Sequence, residues 1–92
     1  MSDLVAVPLD EVSTAFYLQV APELVVLLQG YFDLYEGLAI VRTVDTTLSR
    51  VAIVTTRALE ADCARALEAL RAEVPWEALR PEDVPGGALG AA

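Results

Sequence analysis

The 92-residue sequence contains no histidine, no lysine and a single cysteine, Cys63. Without histidine there is no imidazole general base near neutral pH and no imidazole metal ligand. With one cysteine there is no Cys-x-x-Cys pair and no intrachain disulfide, a usage that fits a reducing compartment. All cationic charge rests on six arginines, against fourteen acidic residues, for a net charge of −8. Nucleic-acid binding depends on neutralising phosphates with Lys and Arg, so nucleic acid and anionic membranes are excluded as partners. Long uncharged runs are also missing. The most apolar region, residues 24–41, is broken by Gln29, Asp33 and Glu36, and a membrane-spanning helix needs about 20 predominantly apolar residues. The start, Met1-Ser2-Asp3-Leu4 and onward, has neither a basic stretch nor an extended apolar one, so a secretory signal is not expected and a cytoplasmic setting is.

What is present is apolar residue: 55% of the chain. The length suits one domain. A domain this small buries only roughly 60–65% of the surface its unfolded chain exposes. Surplus apolar side chains on such a domain point to burial against a second copy, and a homodimer is expected.

The pattern along the chain is one of alternating strands and helices. Residues 1–11 form a lead-in, in which Leu4-Val5-Ala6-Val7 can add a short strand stopped by Pro8. From Val12, alternation puts Val12, Thr14, Phe16, Leu18 and Val20 on one face and Ser13, Ala15, Tyr17 and Gln19 on the other, the period of a half-buried strand. Ala21-Pro22-Glu23 starts a helix, with proline in the first turn and an acid near the positive end of the dipole. Leu24, Leu27, Leu28, Tyr31, Leu34 and Tyr35 are spaced as its apolar stripe, and Gly37 suits its C-terminal stop. Residues 38–44 and 50–56 are β-branched runs joined by the polar Asp45-Thr46-Thr47-Leu48-Ser49, a hairpin pattern. Residues 58–73 read as a second helix, buried through Leu59, Cys63, Ala66, Leu67 and Leu70. Residues 74–79 read as a last strand, which Pro75 confines to an edge or a strand start. Residues 80–92, rich in Pro, Gly and Ala, read as a flexible tail. The order strand, helix, strand, strand, helix, strand predicts an α+β fold. It is a ferredoxin-like βαββαβ sandwich over 12–79, an antiparallel sheet with two helices on one face. Apolar residues on the uncovered face predict an interface there.

The segment Tyr35-Glu36-Gly37-Leu38-Ala39-Ile40-Val41-Arg42-Thr43-Val44-Asp45 resembles a family of short uncharacterised bacterial proteins. Its pattern is a helix ending in Glu-Gly, an Arg-Thr-x-Asp strand end, a valine-rich strand and a closing helix. The resemblance runs from about Phe16 to Leu79. It implies the fold and assigns no reaction. A more distant resemblance is to ACT domains, ferredoxin-like modules that sense small ligands such as amino acids. ACT domains usually carry Pro-Gly after the first strand, where this chain has Val20-Ala21-Pro22-Glu23.

Six residues stand out as candidates for function. Arg42 is a charge inside an apolar strand and needs a partner. That partner is either a small anion held by the guanidinium or, in a salt bridge, Asp45, Glu36 or a neighbouring subunit. Asp45, with Thr46, Thr47 and Ser49, is read as part of an anion site, as a cation holder or as turn chemistry. Arg57, beside Thr56 at the start of the second helix, is read as an anion contact next to an N-cap. Tyr17, Gln19 and Trp76 are expected at the open face as an interface. Gly30, inside the first helix at a cost of about 1 kcal/mol relative to alanine, is expected to pack closely on the sheet, with a gap for a ligand as the alternative. No catalytic pairing, cofactor site or metal site is expected. The resulting expectation is a non-enzymatic homodimeric module with a regulatory or interaction role. The alternative is an ACT-like sensor of a small anion.

Overall fold

In the computed structural model, which describes residues 3–35 and 37–80, the chain enters through a two-residue strand, β1 (Val7–Pro8). Asp10 turns it: its Oδ1 accepts from the backbone N–H groups of Val12 at 2.8 Å and Ser13 at 2.6 Å. Side-chain mimicry of a backbone turn is what aspartate does well. The chain then doubles back as β2 (Ser13–Val20), antiparallel to β1 with Val7 opposite Ala15. Pro22 opens helix α1 (Pro22–Leu34), which ends at Tyr35. The Leu38 N–H donates to the Tyr35 carbonyl at 2.9 Å, and Gly37 takes φ +80° within that turn. This backbone conformation is open to glycine and strained for side-chain-bearing residues.

Strand β3 (Ile40–Asp45) and strand β4 (Arg50–Thr56) form the hairpin. Asp45 Oδ1 accepts from the Leu48 N–H at 3.0 Å within its turn. A bulge between Thr43 and Asp45 leaves Val44 without a partner on β4. Thr56 Oγ1 accepts from the Leu59 N–H at 3.3 Å, capping a 3₁₀ turn, Arg57–Leu59, that leads into helix α2 (Glu60–Leu70). The expected single helix over 58–73 is thus a shorter α-helix with a tighter entry. Strand β5 (Trp76–Ala78) closes the fold on the edge of β2.

The principal strands lie in the order β5-β2-β4-β3, all pairs antiparallel, and β1 pairs with the other end of the β2 edge that holds β5. This α+β arrangement, a five-stranded antiparallel sheet with two helices, is compatible with the ferredoxin-like sandwich. Its main core lies between sheet and helices. Phe16, Leu18 and Val20 of β2 and Val51 and Ile53 of β4 meet Leu28 and Phe32 of α1 and Cys63 and Leu67 of α2. The buried threonine hydroxyls have partners: Thr14 Oγ1 donates to the Val7 carbonyl at 3.2 Å, and Thr55 Oγ1 to the Leu38 carbonyl at 2.6 Å. Among the described residues no helix is long and apolar enough to cross a membrane. Of the expected tail, 81–92 lies outside the described residues.

Candidate functional site

Strand parity settles which residues the sheet turns away from the helices. Tyr17 of β2, Ala52 of β4 and Arg42 of β3 stand in one cross-strand row, and Ala15, Val54 and Ile40 in the next. Both rows lie on the face opposite the helix-side core. This face is not bare. Ala15, Tyr17 and Ala52 are buried there and form a second, smaller cluster with Val7, Leu9, Val44, Val54 and Leu79 packed around them. The expectation of an open apolar interface at Tyr17 is corrected accordingly: the ring is 4% exposed within one copy. The side chains that flank the sheet, Leu9 before β2 and Leu79 after β5, supply part of the cover.

Arg42 is exposed at the rim of this cluster. Two strand spacings of 4.7–4.9 Å separate it from Tyr17, with only the small Ala52 between. Burial pushes the Tyr17 hydroxyl pKa above its ordinary value, and the Arg42 charge partly offsets that. Among the described residues no carboxylate lies within ion-pair distance of Arg42. Asp45, one partner the sequence offered, turns its carboxylate to the Leu48 N–H instead; Glu36 lies outside the described residues.

Arg57 is not brought to the same place. It follows the last residue of β4, five positions beyond Ala52 in the Arg42 row. That is roughly 16 Å along the strand. Its backbone N–H donates to the Val12 carbonyl at 2.8 Å, and its charge acts on Asp10. Arg42, Asp45 and Arg57 therefore do not converge on one ligand.

Trp76 sits in the helix-side core at 2% exposure, which corrects its expected place at the interface. Its Nε1–H donates to the Leu67 carbonyl at 2.9 Å, and the Arg71 guanidinium covers the ring at 3.9 Å. Leu67 is in the last turn of α2, where carbonyls lack intrahelical partners, so the indole caps the helix end. Gln19 is exposed and shares with Trp76 and Glu77 a cleft of about 430 Å³. The cation in that cleft, Arg71, is engaged with Asp3 at 3.3 Å, Glu68 at 3.6 Å and the Trp76 carbonyl at 3.2 Å. Among the described residues no group of three or more Cys, Asp or Glu side chains is placed to hold a metal ion.

The uncovered apolar surface lies instead on α1. Leu24, Val25, Leu28, Tyr31 and Phe32 turn inward, while Val26 is 75%, Leu27 44%, Leu34 81% and Tyr35 43% exposed. The inward stripe is thus centred one residue away from the expected one, and Leu27 and Leu34 belong to the outside. Gly30, expected against the sheet, is exposed, and a Cβ built on it would meet no atom within 4 Å. Ile40, 65% exposed on the edge strand β3, belongs to the opposite sheet face and not to this surface. The signal for this surface was in the sequence: Leu24-Val25-Val26-Leu27-Leu28 is apolar all round, more than one buried stripe can use.

Fold and surfaces together define a small α+β domain of ferredoxin-like type with an apolar outer helix. The chain belongs to a family described as a domain of unknown function (DUF4911), whose sequence model matches residues 18–74. No curated protein and no solved structure matches the chain.

Proposed function

We propose that this domain is a non-enzymatic interaction module that works as a homodimer, in a regulatory role within the cytoplasm. One observation carries the reading: Val26 and Leu34 stand 75% and 81% exposed on the outer side of α1. Fully burying a Val or Leu side chain contributes roughly 1.5–3 kcal/mol. Two copies would bury four such side chains, giving roughly 6–12 kcal/mol from these alone. Association costs about 4–15 kcal/mol in lost freedom, so the contact needs Leu27 and Tyr35 as well. With their burial added, the contact offsets the cost of association. The cytoplasmic setting is supported by the lone thiol, which is buried and free. Sedimentation velocity between roughly 1 and 200 µM, which spans association free energies of about −8 to −5 kcal/mol, tests the reading. A concentration-dependent shift from one-copy to two-copy mass is expected; a single-copy mass throughout removes it.

A second reading, a sensor of a small anion, is favoured by one observation: Arg42 is exposed beside a buried tyrosine with no carboxylate partner among the described residues. Arg57 is too far along the sheet to share that ligand. Native mass spectrometry of the purified protein tests it. A retained small-molecule mass that disappears in Arg42→Ala supports the sensor, and a bare chain in both proteins rejects it.

A further inference from the structure

We infer that the second copy docks through α1 itself, antiparallel, with Gly30 of one copy crossing Gly30 of the other on a two-fold axis. The inference rests on the homodimer reading and adds its site and register.

The outward residues are spaced for it. Val26, Gly30 and Leu34 follow one another at steps of four and therefore form a single ridge on the helix. Ridges of this kind interdigitate with their own equivalents when two helices cross, at interaxial distances of 8–10 Å. In a two-fold contact a residue i that touches j is matched by j touching i. Centring the axis on Gly30 pairs Val26 with the second copy's Leu34, and Leu34 with its Val26. Each large side chain then meets a large one, and the position of closest approach carries no side chain. A glycine in a helix interior costs stability. Within one copy nothing repays that cost, since the space over Gly30 is empty.

Charge points to the same occupant. The chain carries −8, so two copies repel wherever acidic surfaces meet. Residues 24–32 contain no Asp, Glu or Arg, and the acids of α1, Glu23 and Asp33, stand near its two ends. An antiparallel crossing also sets the positive end of each helix dipole beside the negative end of the other. Area sets the limit. A standard interface covers about 800 Å² per partner. A 13-residue helix is about 20 Å long and 10 Å wide, too small to supply that alone. Leu27 and Tyr35, also exposed, widen the contact beyond the ridge.

Cysteine cross-linking of the full chain tests the register. Bridgeable pairs need Cα atoms 4.4–6.8 Å apart. Cys63 is fully buried and does not compete. Under mild oxidation Gly30→Cys is expected to yield a covalent dimer. Val26→Cys and Leu34→Cys alone, each about 6 Å along the helix from the axis, should stay uncross-linked. The double variant Val26→Cys/Leu34→Cys should cross-link. In parallel, Gly30→Leu is expected to weaken dimerisation at least tenfold in sedimentation while leaving the circular dichroism spectrum unchanged. A dimer that forms with wild-type affinity in Gly30→Leu, or that cross-links equally at all three positions, overturns the α1 contact and leaves the homodimer reading standing. A wild-type chain that remains single at 200 µM overturns both.

Discussion

The Arg71 guanidinium lies 3.9 Å over the ring of Trp76, and the same ring donates its N–H to the Leu67 carbonyl at 2.9 Å. One side chain of β5 thus joins the end of α2, the core and a surface cation. Trp76→Phe keeps most of the buried area but leaves the Leu67 carbonyl unpaired, at a cost of about 1–3 kcal/mol. Arg71→Ala removes the cation and its aliphatic cover, at a cost of about 1 kcal/mol. Urea unfolding of both single variants and the double variant measures this. Because the residues touch, the double variant should cost less than the two single values added.

Two glycines should respond to alanine with opposite signs. At Gly37, φ +80° makes any Cβ strained, so Gly37→Ala should destabilise by roughly 1–2 kcal/mol. At Gly30 the space is open and the backbone is helical, so Gly30→Ala should stabilise the single chain by about 1 kcal/mol through helix propensity. Thermal unfolding at concentrations below the dimer midpoint separates the two effects. If both variants lose stability there, Gly30 is packed against its own chain and the outward assignment of α1 fails.

Element order was legible because each element has a period of its own. The alternation from Ser13 to Val20 and the β-branched run from Arg50 to Thr56 identify β2 and β4 with little ambiguity. Gly37 marks the end of α1 because its backbone needs φ above zero. The faces were harder to read. With Leu, Val and Val at 24 to 26 and Leu at 27 and 28, helical spacing alone could not say which residues turn inward, and the stripe came out one position off. Trp76 follows Pro75 on a short edge strand and so read as surface. Its burial depends on a carbonyl of α2 nine residues earlier, a tertiary partner that no local pattern announces. Of the candidate anion residues, Asp45 shows the turn bond its neighbours suggested. That Arg57 stands far from Arg42 follows from strand register, visible only once β3 and β4 are paired.

Cys63 lies in the core at 0% exposure, and burial pushes its thiol up to about 12. Thiolate is the reactive form, so a disulfide-exchange reagent at pH 8 should label the native chain only through opening, and should label it at once in denaturant. The folded pKa is raised above the ordinary 9.0, so the unfolded chain releases this proton first. The contribution to stability is complete below pH 9 and is lost as pH rises from about 9 toward 12. Cys63→Ala should flatten the alkaline limb of the stability profile. Rapid labelling of the folded protein at pH 8 would mean the thiol is accessible and the core assignment wrong.

At the acid end the group to watch is Asp10. The backbone N–H of Ser13, then that of Val12, hold its carboxyl below the ordinary 3.8, with a smaller contribution from the Arg57 charge. The sign is the reverse of the cysteine case. A depressed folded pKa means the unfolded state takes up the proton first. The stabilisation is therefore present above pH 3.8 and fades as pH falls through the folded value. Asp10→Asn keeps an oxygen acceptor for both N–H groups and removes the titration. Its thermal midpoint should lie below wild type at pH 6, and the gap should close as pH drops below 3.8. Arg57→Ala should reproduce only a small part of the pH 6 loss, because its charge is the weakest of the influences on this carboxyl. A loss in Arg57→Ala as large as in Asp10→Asn would show that the attraction of the Arg57 charge, rather than the backbone turn, fixes the β1–β2 connection. Arg57 would then be a structural partner of Asp10, with no charge left over for an anion.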